Sequence, residues 1–119
     1  MYEINKTEPF WWGLFSAGGV VAALFVPIHI IIAGLAVPLG LLGADAVGYT
    51  HMRALLGNPL VKLYLFVLVA LPLFHAAHRL RFALKDMGLK LPGQVLGMVL
   101  YGGAILGTLV AGFIIVGLP

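Results

Sequence analysis

Three long apolar runs separated by two polar links dominate the chain. The runs cover residues 11–37, 59–84 and 92–118, and a helix needs about 20 residues to cross about 30 Å of hydrocarbon. Each run is therefore predicted to be a transmembrane helix, with no length left for a fourth. Proline punctuates all three. Pro9 precedes the first run, while Pro59 and Pro92 open the second and third. Proline suits a first helical turn because its missing N–H would have no partner there. Pro27 and Pro72 lie inside their runs and are expected to kink them, since each removes one backbone donor.

The first link, residues 39–58, is rich in Gly and small side chains. It interleaves Asp45, Tyr49, His51 and Arg53 with Val47, Met52, Leu55 and Leu56. That mixture fits a short helix lying in the interface and ending at Gly57. The second link, residues 86–91, is short enough to make the second and third helices antiparallel neighbours. Neither link has the size or polarity of a soluble domain, and no internal repeat or low-complexity segment is visible. The expected fold is all-α and integral to the membrane: three transmembrane helices with a short interfacial helix between the first and second, in one membrane-anchor domain over residues 1–119.

Composition sharpens the class. The 119 residues are 62% hydrophobic and only 9% charged, with a mean hydropathy of +1.11, whereas soluble domains carry about 25% charged residues. The net charge of +3 is small and sits mostly at one membrane face, which points to lipid headgroups as its partner and not to nucleic acid. No cysteine is present. That excludes disulfides, iron–sulfur clusters with cysteine ligands and covalently attached c-type haem within this chain, so any such redox centre must belong to a partner. The N-terminal tail carries Lys6 against Glu3 and Glu8. The apolar run after it is too long for a signal peptide and is expected to remain in the mature protein.

The cations orient the helices. Arg79, Arg81, Lys85 and Lys90 flank the second link and Lys6 lies in the N-terminal tail, against Arg53 and Lys62 on the opposite face. The positive-inside rule then places the N-terminus in the cytoplasm and the C-terminus outside. If Lys62 marks the outer boundary, about 20 residues of core end near Phe82, and His78 and Arg79 lie about one turn inside the inner edge. Trp11 and Trp12 begin the first helix at that same depth.

Candidate chemistry concentrates in residues 74–85, Phe-His-Ala-Ala-His-Arg-Leu-Arg-Phe-Ala-Leu-Lys. At about 100° per residue, His75, His78, Arg79, Phe82 and Lys85 share one stripe, read as facing protein and a polar ligand. Arg81 points elsewhere and is read as an anchor for lipid phosphate. Each feature also has a plainer reading. Tryptophans at a helix end commonly form an interfacial belt, and the cations commonly snorkel and set topology. A transmembrane histidine such as His75 or His78 is a possible haem ligand, but no second histidine shares its depth on a facing helix. His29 lies about 25 Å along the first helix from its inner end and is read as a packed histidine bonded to backbone or to a neighbour. The small residues Gly93, Gly97, Gly103, Gly107 and Ala111, with Gly18 or Gly19 and Ala22 or Ala23 on the first helix, are expected to admit a close backbone neighbour. Two such faces and an unfilled polar stripe suggest an incomplete bundle that a second membrane subunit completes.

Four ordered segments then resemble a known family: Phe-Trp-Trp-Gly-Leu-Phe-Ser-Ala-Gly-Gly at 10–19, Val-Pro-Leu-Gly-Leu at 37–41, Gly-Ala-Asp-Ala at 43–46 and Leu-Pro-Leu-Phe-His-Ala-Ala-His-Arg-Leu at 71–80. Together they are similar to the D subunit of bacterial quinol:fumarate reductase. The resemblance implies a non-catalytic anchor in the bacterial inner membrane that holds a flavoprotein subunit and an iron–sulfur subunit with a second membrane anchor subunit. It implies menaquinol oxidation near the inner face in anaerobic respiration, with FAD and iron–sulfur clusters only in partners, no haem and no metal ligands in this chain. The quinone-contacting residues fall on Trp12, His78 and Arg79, with Trp11, His75 and Phe82 as supporting neighbours. Arg81 and Phe82 replace further histidines of the family pattern. Two alternatives stand beside it: a haem-b-binding anchor of the succinate dehydrogenase type, and a small non-redox membrane subunit.

Overall fold

A computed structural model describes residues 5–119; residues 1–4, including Glu3 of the N-terminal tail, lie outside the described residues. The first helix, α1, spans Glu8–Ile31 and continues through a π-helical turn at Ile32–Ala36. It starts before the expected residue 11 because Pro9 sits within the first turn, where its ring and missing N–H are tolerated. Glu8 places a carboxylate at the positive end of the helix dipole. In the π turn, Val37 N–H donates to the Ile32 carbonyl at 3.1 Å, a widening that apolar periodicity does not reveal. The chain then reverses through Gly40, whose φ of +72° is left-handed.

A 3₁₀ turn at Ala44–Val47 leads into the short helix α2, Tyr49–Leu56, which ends at Gly57 as expected. Helix α3, Pro59–Asp86, is capped by the Asn58 side chain, which accepts from Leu60 N–H at 2.8 Å. Helix α4 spans Gly93–Gly117. The stretches Glu8–Ala36, Pro59–Asp86 and Gly93–Gly117 are each long and apolar enough to cross a membrane.

Helix α3 is the middle of the structure and packs along both α1 and α4. The Cα trace is a slab 61 × 29 × 20 Å in extent. At the end where α3 begins and α4 finishes, Lys62 Nζ donates to the Leu118 carbonyl at 2.6 Å. Lys62 Nζ also reaches the Val116 carbonyl at 3.4 Å, one of the carbonyls a helix C-terminus leaves free, so the start of α3 is tied to the end of α4. Large apolar side chains of all three spans, among them Val20, Leu24, Leu63, Leu106, Leu109 and Phe113, face outward. The outward display suits lipid, which is as apolar as leucine and gives no drive to bury it.

The small residues do different work on the two outer helices. On α1, Gly18 is buried, and a Cβ there would collide with the Leu71 carbonyl oxygen and His75 Cβ, so backbone meets backbone as expected. On α4 the glycines instead receive α3 side chains: Gly97 faces the Arg81 guanidinium, Gly107 faces Leu73 and Gly112 faces Phe66, while Gly103 has nothing against it. Within this chain Gly97 and Gly107 of the four-residue spacing thus admit α3 side chains and not a backbone, while Gly103 stays open.

Candidate functional site

His78 is the buried polar residue at the meeting of the three long helices, only 3% exposed. Three rings enclose its imidazole: Trp12 edge-on at 4.7 Å, Phe15 at 4.6 Å and Phe82 at 4.9 Å between centroids. Its Nδ1 is hydrogen-bonded to the Tyr101 hydroxyl of α4 at 2.6 Å. Its Nε2 is buried with no hydrogen-bond partner among the described residues. One turn earlier, His75 lies flat on Phe15 at 4.5 Å and 5°. Its Nδ1–H donates to the Phe15 carbonyl at 2.8 Å. A carbonyl only accepts, so this contact fixes the His75 tautomer. Gly19 leaves room for that ring, since a Cβ there would stand 2.9 Å from His75 Cε1.

Trp12 and Phe82 are the open side of this cluster, 50% and 40% exposed. Arg79 is also exposed and stands about 60° around α3 from Phe82, so the two lie on one side of that helix. The tryptophan pair divides between two faces. Trp12 turns to His78, whereas Trp11 stacks on Tyr101 at 4.4 Å and 19°.

Arg81 requires a correction. In place of the expected reach to lipid phosphate, its side chain is half-buried against α4, with Cζ 5.8 Å from the Tyr101 ring. Two residues after Arg79, it emerges about 200° around the helix, on the opposite side of α3. Lys85 goes with it: its Nζ reaches the position of Gly93 on α4 and does not extend the His75 stripe. Arg81, Trp11, Tyr101 and Gln94 line a groove of about 540 Å³ that also includes Thr7 and Glu8. His29 sits far from this cluster, with Nε2 hydrogen-bonded to the Tyr64 hydroxyl at 2.6 Å; the expected bond to a neighbour is present, but the residue is exposed and not packed within this chain.

Two members of the cluster do not stand out in the sequence. Phe15 looks like ordinary apolar filling. Tyr101 does carry a signal: it continues the four-residue spacing of Gly93 and Gly97, the stripe that faces α3.

The model of the fumarate reductase D-subunit family matches residues 3–116. This chain belongs to the fumarate reductase D-subunit family. A relative named as the fumarate reductase D subunit of Mycobacterium tuberculosis (strain ATCC 25618 / H37Rv) is 50% identical over 113 residues, covering 93% of this chain and 88% of the relative. The D subunits of Vibrio parahaemolyticus, 38% identical with 82% and 81% covered, and of Photobacterium profundum, 40% identical with 70% and 69% covered, are also similar. Membership in this family, together with three apolar helices of spanning length, makes the chain a membrane-anchor component of a larger complex.

Proposed function

We propose that this D subunit is non-catalytic by itself, holds the flavoprotein and iron–sulfur subunits to the bacterial inner membrane beside a second membrane anchor, and supplies part of the site where menaquinol is oxidised for fumarate reduction. The N-terminus and the α3–α4 link lie on the cytoplasmic side and the C-terminus on the periplasmic side, following the cations. The observation that carries this reading is the Trp12 ring, held edge-on to buried His78 yet half exposed beside Phe82. FAD and the iron–sulfur clusters belong to the partners, and no haem is assigned to this chain.

Menaquinol, when bound, supplies electrons to the iron–sulfur subunit and releases protons. The chain's part is to bind and orient the headgroup. The Trp12 indole N–H and the Arg79 guanidinium are donors that cannot accept, so both favour an oxygen carrying negative charge. The unpartnered His78 Nε2 fits a headgroup that brings a hydrogen-bonding oxygen. His75, Trp11 and Phe82 hold the surrounding packing.

The decisive variant is Trp12→Phe, which keeps most of the ring and deletes the donor. The expected cost is about 1–3 kcal/mol, a five- to hundredfold fall in quinol turnover at about 1.4 kcal/mol per tenfold. Fumarate reduction from a soluble dye bypasses the quinone and should stay unchanged in the membrane-bound complex. Equal loss of both activities would assign Trp12 to assembly, and an unchanged quinol rate would return it to the interfacial belt. His78→Ala should leave any cytochrome absorbance of the complex intact; a lost Soret band would favour the haem-b reading.

A further inference from the structure

Packing alone cannot orient the His78 imidazole. The rings of Trp12, Phe15 and Phe82 press on it from 4.6 to 4.9 Å, and an aromatic neighbour distinguishes poorly between a ring nitrogen and a ring carbon. The Tyr101 hydroxyl, 2.6 Å from Nδ1, makes the distinction. Tyr101 is itself held firmly, with Trp11 stacked on its ring at 4.4 Å and Arg81 Cζ 5.8 Å away.

The direction of this hydrogen bond follows from the two groups. A phenol O–H is a good donor and an imidazole lone pair a good acceptor, while the phenol oxygen shares its lone pair with the ring and accepts weakly. Tyr101 therefore donates to Nδ1, and the ring proton resides on Nε2. That leaves a buried N–H with no partner among the described residues, and native proteins rarely keep such a group without a use for it.

We propose that Tyr101 is a positioning residue for menaquinol oxidation: it holds His78 in the Nε2–H form and so keeps a further donor ready, beside the Trp12 indole, for an oxygen of the quinone headgroup. The inference rests on Trp12, His78 and Arg79 forming the quinone site. Trp12 and Phe82, two of the three rings around His78, are both half exposed and form the open side of the cluster from which a headgroup would approach.

The test uses the membrane-bound complex. Tyr101→Phe keeps the stack on Trp11 and removes only the hydroxyl, so quinol-driven kcat/KM should fall by about five- to a hundredfold with dye-driven fumarate reduction unchanged. In a His78→Ala background the same substitution should cause no further loss, because its effect passes through that ring. Nitrogen-15 NMR of histidine-labelled complex, with the His78 signal identified by its loss in His78→Ala, should show the Nε2–H form, and Tyr101→Phe should mix the two forms. If His78→Ala slows quinol turnover but Tyr101→Phe does not, Tyr101 has no positioning role and the quinone site stands. If neither His78→Ala nor Trp12→Phe slows quinol turnover, the quinone site itself is refuted and this inference with it. A native spectrum with the proton on Nδ1 overturns the proposal even if Tyr101→Phe fails to assemble.

Discussion

At the scale of single residues, neighbours one or two positions apart have separate fates. Trp11 and Trp12 differ by about 100° on α1; one ring stacks on Tyr101 and the other stands on His78. Arg79 and Arg81 part in the same way, one to an exposed position and one onto α4. The glycines separate as well. Gly18 admits the Leu71 backbone and His75, while a Cβ at Gly34 would make only an ordinary contact with Ile30 at 3.8 Å. Gly18→Val should therefore force α1 from α3 and cost about 1–3 kcal/mol, the range for overpacking. Gly34→Ala should stay within about 0.5 kcal/mol, as most substitutions away from tight packing do. Thermal denaturation of the detergent-solubilised complex checks both, and equal melting temperatures for the two variants would refute the close approach at Gly18.

At the scale of elements, how each helix ends matters more than how long it is. Gly57 closes α2 with a φ of −70°, an ordinary right-handed value. Gly88 follows α3 with a φ of +90°. There the Leu89 N–H donates to the Leu84 carbonyl and the Gly88 N–H to the Lys85 carbonyl, each at 3.0 Å. This pair of bonds is a Schellman motif, which requires a left-handed residue. Gly88→Ala should cost about 1 kcal/mol or more, because alanine resists positive φ. Gly57→Ala should be nearly neutral by the same reasoning. Chemical unfolding of the solubilised complex tests the contrast, and an unaffected Gly88→Ala would contradict the motif. The hydrophobic pattern marks Gly57 as a helix stop but does not single out Gly88, since glycine composition alone carries no sign of φ.

At the scale of the whole molecule, α1, α3 and α4 form a slab 61 × 29 × 20 Å in extent, with α3 packed on both outer helices. A slab leaves its outer faces to lipid or to other subunits, and exposed Trp12 and Phe82 lie on one such face. Expression of this chain alone should give little folded product, and co-expression with its partner subunits should rescue it. A stable, non-associating monomer purified from the isolated chain would show that no bundle is missing. The sequence by itself determined the three spans, the short helix before Gly57, the common depth of Trp12 and His78, and the family. These follow from hydrocarbon thickness, helical periodicity and an ordered set of motifs, all of which act along the chain. Only the tertiary structure decided that Tyr101 would bond to His78 and that Arg81 would turn onto α4. It alone decided that Gly97, Gly107 and Gly112 of α4 would receive side chains. Each depends on how two helices are rotated against each other, and helix rotation is set by contacts between residues distant in sequence.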